Sequence, residues 1–117
     1  MRKLSLIKDI QDNKLSEDQL IECLDIDHNY VLSNVIRKIV ELRISNQLVI
    51  KKLVRRGTLL GDENSLMGVY KIGHVALAAL YLLDTTESVE RYNLEIVKLN
   101  EWDKECVEKI KQSDFFL

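Results

Sequence analysis

Between Tyr70 and Leu83 the chain carries Ile72, Val75, Ala76, Leu77, Ala78, Ala79, Leu80, Leu82 and Leu83, with almost no polar face left over. A helix that is apolar all round must be buried on several sides. The stretch is too short to span a bilayer, which needs roughly 18 or more apolar residues. The remaining chain therefore has to supply the elements that cover it. Its small residues, Gly73, Ala76, Ala78 and Ala79, allow those neighbours to come close. The covering elements are expected to be helices. The chain has no proline and only four glycines, too few for the turns of an all-β domain. Its 117 residues suit a single domain with one small core. A hydrophobic fraction of 46% with a net charge of −2 excludes a disordered chain. The expectation is one all-α domain over residues 1–117, with about seven helices in hairpins or in an irregular orthogonal bundle.

The other helices follow from apolar spacing and capping signals. Leu4, Leu6, Ile7 and Ile10 predict a short first helix ending near Asn13. Ser16-Glu17-Asp18-Gln19 matches a capping box and opens a second helix with Leu20, Ile21, Cys23 and Leu24 on one side. Val31, Val35, Ile39 and Leu42 predict a third helix from Asn29 to Arg43, with Ser33, Asn34, Arg37, Lys38 and Glu41 on its polar face. Ser45 or Asn46 caps a fourth helix, which Gly57 stops by tolerating a positive φ. Gly57–Gly68 is expected to be a surface loop. The apolar helix then runs from Val69 to Leu83. Asp84-Thr85-Thr86-Glu87 caps a sixth helix and Asn100 a seventh, with Trp102, Cys106, Val107 and Ile110 on its buried stripe. The apolar tail Phe115-Phe116-Leu117 either docks on the core or stays sticky.

The third and fifth helices correspond at an offset of 40 residues. Tyr30 matches Tyr70, Leu32 matches Ile72, Ser33 matches Gly73, Asn34 matches His74, Val35 matches Val75 and Leu42 matches Leu82. Ser45 and Asn46 then fall on Thr85 and Thr86. A two-helix period near 40 is the length of a HEAT or armadillo unit. On these residues the chain resembles HEAT-like helical repeat proteins across Ser16–Leu99, although the proline and Asp/Arg landmarks of HEAT units are missing. The resemblance implies stacked helix pairs that present a helical face to a partner.

The small net charge conceals an uneven distribution. Residues 37–56 hold seven basic groups, Arg37, Lys38, Arg43, Lys51, Lys52, Arg55 and Arg56, against Glu41 alone. Such a block suits an acidic partner or a nucleic-acid backbone; equally, it suits a solvated face paired with acidic neighbours. The third and fourth helices could also form a helix-turn-helix with Gln47–Arg56 as the recognition helix. A winged version should continue into a β-hairpin, whereas a loop is expected here. The last two helices carry Glu87, Glu90, Glu95, Glu101, Glu105 and Glu108, with Glu105 and Lys109 as an i,i+4 pair.

Catalytic signatures are sparse. His74, set among apolar residues, is either a general base or a satisfied polar group at a helix contact. His28 beside Asp25 and Asp27 fits a helix cap better than a metal site. Cys23 and Cys106 have no C-x-x-C spacing and sit on apolar stripes, which implies thiols in a reducing cytoplasm. Met1–Lys8 has no apolar core of a signal peptide. No phosphate-binding loop, dinucleotide fingerprint or zinc-helix motif is present, and no cofactor or metal is implied.

The expected function is therefore protein recognition without catalysis. In size, uneven charge and lack of catalytic motif the chain resembles bacterial immunity proteins that neutralise a toxin domain. That resemblance implies a cytoplasmic protein with a toxin as partner and no membrane contact. It also implies an acidic binding face, here Glu87, Glu90, Glu101, Glu105 and Glu108. The alternative is a nucleic-acid-binding or transcription-regulatory domain that uses Arg37, Lys38, Lys51, Lys52, Arg55 and Arg56.

Overall fold

A computed structural model describes residues 3–116, apart from the side chains of Lys3, Leu4 and Met67. The roles expected for Leu4 and Leu117, and the sequence reading of Met1 and Arg2, lie outside the described residues. Within them the protein is all-α, with seven α-helices: α1 (Lys3–Gln11), α2 (Glu17–Cys23), α3 (Asn29–Leu42), α4 (Gln47–Arg56), α5 (Ile72–Leu83), α6 (Thr86–Ile96) and α7 (Glu101–Gln112). No helix among them is long and apolar enough to cross a membrane.

Local chemistry sets most helix ends. Ser16 accepts the Gln19 N–H while the Gln19 side chain accepts the Ser16 N–H, which completes the expected capping box. The His28 Nδ1, the Asn46 Oδ1 and the Asn100 Oδ1 cap α3, α4 and α7. Thr85 caps α6 in a box closed by Ser88. Arg43 and Asp84 end α3 and α5 in the left-handed region, at φ 58° and 54°. Gly57 ends α4 for a different reason from the one expected. Its φ is −61°, so conformational freedom is not what it supplies. A Cβ there would lie 2.7 Å from Leu77 Cδ2; the residue is small because α5 passes over it.

Helix α5 is the centre of the molecule. Residues Ile72–Leu80 are all buried, and α3, α4, α6 and α7 each pack against it. A single fully buried Leu or Val is worth ~1.5–3 kcal/mol relative to exposure, so this element dominates the core. Helix α1 lies against the far side of α3, and α4 touches α6. Arg43, at the end of α3, donates to the Leu82 carbonyl at the end of α5 (2.6 Å). At the opposite end, Asn29 donates to the Glu63 and Ser65 carbonyls, just before α5 begins. Helices α3 and α5 therefore run parallel. The ends of α4 and α6 also meet, since Gly57, Thr58, Glu95 and Lys98 line one cleft, so α4 and α6 run parallel too.

The connector corrects the expectation of a plain loop. It holds a short 3-10 turn (Asp62–Asn64) and an antiparallel hairpin of β1 (Ser65–Met67) and β2 (Tyr70–Lys71), turned at Gly68 with φ 56°. Helix α5 consequently starts at Ile72, not Val69. Its first turn presses on the connector: a Cβ at Gly73 would lie 2.8 Å from the Leu59 carbonyl.

Candidate functional site

His74 is fully buried and its ring is bonded at both nitrogens. Nδ1 accepts the Lys71 backbone N–H at 3.0 Å. Nε2 lies 2.8 Å from Asp103 Oδ1. The accepting role of Nδ1 places the proton of a neutral ring on Nε2, which donates to the carboxylate. Asp103 comes from α7, 29 residues away, and the Trp102 ring meets His74 edge-on at 5.9 Å. His74 lines none of the five best-formed clefts seen among the described residues. Its geometry is that of a tie between the start of α5 and α7. His28 likewise serves as a cap, and no group of three or more His, Cys, Asp or Glu among the described residues could hold a metal ion. Cys23 and Cys106 are free and buried, and burial pushes both thiols above the usual range.

The basic block does not form one surface. Lys52 reaches Asp25 at 2.7 Å and the Ile21 carbonyl at 3.3 Å. Arg56 donates through Nε to the Leu24 carbonyl at 2.7 Å and pairs with Asp27 at 3.2 Å. Arg55 lies 3.8 Å from Asp25. These groups brace α4 against the α2–α3 link and hold its carbonyls, while Arg37, Arg43 and Lys51 are exposed and make no ion pair among the described residues. The Lys52 ammonium, chiefly by hydrogen bonding, holds the Asp25 carboxyl below the usual range.

Much of the α3 surface expected to face solvent is covered instead. Ser33, Asn34 and Lys38 are buried. Asn34 accepts from Gln11 of α1 (3.1 Å), and Lys38 donates to Asn13 (2.9 Å) and pairs with Glu41 (2.6 Å). The tail docks over the same face. Phe115 and Phe116 are half-buried against the core, and the Arg37 guanidinium lies 5.2 Å from the Phe115 ring centre. Between the tail, α1 and α3 a cleft of about 310 Å³ remains, lined by Gln11, Asn34, Arg37, Lys38, Glu41, Ile10 and Phe116.

The five glutamates of the expected acidic face divide between two helices. Glu87 and Glu90 are exposed on α6 and make no ion pair among the described residues. Glu101, Glu105 and Glu108 are exposed on α7, where Lys104, Lys109 and Lys111 pair with them at 3.4, 3.1 and 2.9 Å. Lys111 is also clamped, with its ammonium 3.6 Å from the Tyr81 ring centre and 3.2 Å from the Tyr92 hydroxyl. Its hydrogen bond is the main reason Glu108 titrates below the usual range.

Trp102 departs most from expectation. Its spacing to Cys106 and Ile110 predicts a place in the core, yet it is 50% exposed. The inner face of α7 runs through Asp103, Cys106, Val107 and Ile110, so Trp102 falls on its shoulder between Glu101 and the Glu105 turn. Val69, at the hairpin tip, is 56% exposed. Comparison of the chain with protein-family models, curated proteins and solved structures finds no match.

Proposed function

We propose that this protein is a non-catalytic binding module whose recognition element is the exposed side of α7, most concretely an immunity protein that neutralises a toxin in the cytoplasm. The observation that carries this reading is Trp102, half-exposed between Glu101 and Glu105. Tryptophan is enriched among the few residues that dominate binding energy. Its ring rests against the buried His74 at 5.9 Å, so less rotamer freedom is left to lose on binding. The partner surface should be basic with an apolar recess. The lysines on α7 weaken the acidic field without cancelling it, since exposed ion pairs remain open to solvent and competition.

The same observations count against nucleic acid as partner. The connector does supply a hairpin after α4, but Lys38, Lys52 and Arg56 face the protein's own carbonyls and carboxylates, Arg37 lies over Phe115 and Arg43 bonds the Leu82 carbonyl, which scatters the cations that could contact phosphates. The HEAT-like stacking of helix pairs stays part of the proposal. It is supported by the parallel courses of α3 with α5 and of α4 with α6.

Calorimetric titration against the product of the adjacent gene provides the test. Trp102→Ala should weaken binding by ~30-fold or more, the scale of a hot-spot truncation. Glu101→Lys with Glu105→Lys should weaken it further, and Lys51→Glu with Arg55→Glu should leave it within a few-fold. If the basic-side variants abolish binding and the α7 variants do not, the proposal fails.

A further inference from the structure

One set of exposed residues outside α7 lies along α4 and α6. Helices α4 and α6 touch each other and both pack on α5, so their exposed sides point away from it together. On α4 they include Leu48, Lys51 and Arg55; on α6 they include Glu90 and Leu94, with Val97 just past its end. Leu48, Leu94 and Val97 are 50%, 59% and 69% exposed. Lys51 and Glu90 have no ion pair among the described residues, and Arg55 has only the long contact to Asp25 at 3.8 Å. The face thus consists of a cationic helix beside an anionic one, each with apolar side chains in reach of water.

The register of the two helices is matched. They run parallel with their C-terminal ends together. Lys51 and Glu90 are each the fifth residue of their helix, and Arg55 and Leu94 each the ninth. A two-fold axis along the α4–α6 seam lays α4 of one copy over α6 of another and keeps the helices parallel. That operation sets Lys51 opposite Glu90 twice. It also sets the aliphatic stem of Arg55 on Leu94, where a long cationic side chain covers apolar surface while its head stays in water. A self-complementary patch of this kind is what a two-fold interface requires.

We propose that the α4–α6 face binds a second copy of this chain, through reciprocal Lys51–Glu90 pairs around an apolar strip that includes Leu94. The strip is about 15 Å long and about 20 Å wide from helix dimensions. At about 300 Å² per copy this lies below the roughly 800 Å² per partner of a standard specific interface, so the dimer is weak and salt-sensitive. The inference is independent of the α7 proposal, which uses a different face.

Sedimentation velocity of the full chain over a range from micromolar to millimolar concentration tests it. The parent should dimerise at the upper end and lose at least tenfold in affinity at high salt. Lys51→Glu alone and Glu90→Lys alone should each stay monomeric, because each homodimer would oppose like charges. Mixed in equal amounts, the two variants should form a heterodimer, since both pairs are then attractive. Trp102→Ala should dimerise as the parent does. A parent that remains monomeric at millimolar concentration, or single variants that dimerise unchanged, would overturn the proposal, as would a mixture that fails to associate.

Discussion

His74 ties three segments with one side chain: it accepts from the chain at the start of α5, donates to α7 and is edged by Trp102. Its replacement by alanine leaves the Asp103 carboxylate and the part-buried Lys71 N–H without their partner, and opens a cavity. His74→Ala should therefore lower unfolding free energy by ~2–4 kcal/mol in urea titration, combining a lost buried hydrogen bond with lost packing. A loss below ~0.5 kcal/mol, the size of an ordinary surface change, would contradict the role. The sequence places His74 on an apolar helix and so marks it as a polar contact. It does not show Asp103, because nothing local links residues so distant in the chain. Trp102 leaves the core for a geometrical reason. An i,i+4 step on a helix of 3.6 residues per turn rotates about 40°, so the Trp102–Cys106–Ile110 spacing drifts around the cylinder, and Asp103 takes the inner position.

At the scale of elements, the charges of α4 fasten it to the α2–α3 link. Asp25 is the titrating half of that brace, and its carboxyl is held low in the folded state, first by the hydrogen bond from Lys52. A depressed carboxylate contributes stability above its unfolded pKa of about 3.9, and the contribution disappears as pH falls through the lower folded value. Stability measured by urea midpoint should thus fall between about pH 5 and pH 2, and Asp25→Asn should flatten that fall while lowering the midpoint at pH 7. An unchanged acid profile in Asp25→Asn would show that the brace contributes nothing. The helices themselves were legible, since caps and apolar periods are local signals. The hairpin was not. Val69 and Tyr70 extend the apolar run of α5 backwards, and the hairpin pairing of Tyr70 and Lys71 with the bond of the Gly73 N–H to the Leu59 carbonyl fixes where the helix begins. The buried state of Ser33, Asn34 and Lys38 was equally hidden, because it depends on α1 and the tail folding over α3.

At the scale of the whole molecule, α5 commits nearly all of its surface to the fold, with Tyr81 exposed near its end, which leaves recognition to the layers around it. Charge alone did not separate those layers, because composition counts ionised groups and not the partners they meet. The structure divides them into braces on the α4 side, paired glutamates on α7 and an unpaired strip along α4 and α6. Trp102 is the only tryptophan in the chain, so its fluorescence reports on the proposed binding element without labelling. Collisional quenching by acrylamide, with and without the product of the adjacent gene, tests the central claim. Trp102 should be quenched readily in the free protein and should become strongly protected in the complex. A tryptophan already shielded in the free protein, or one whose quenching is the same in the complex, would contradict it.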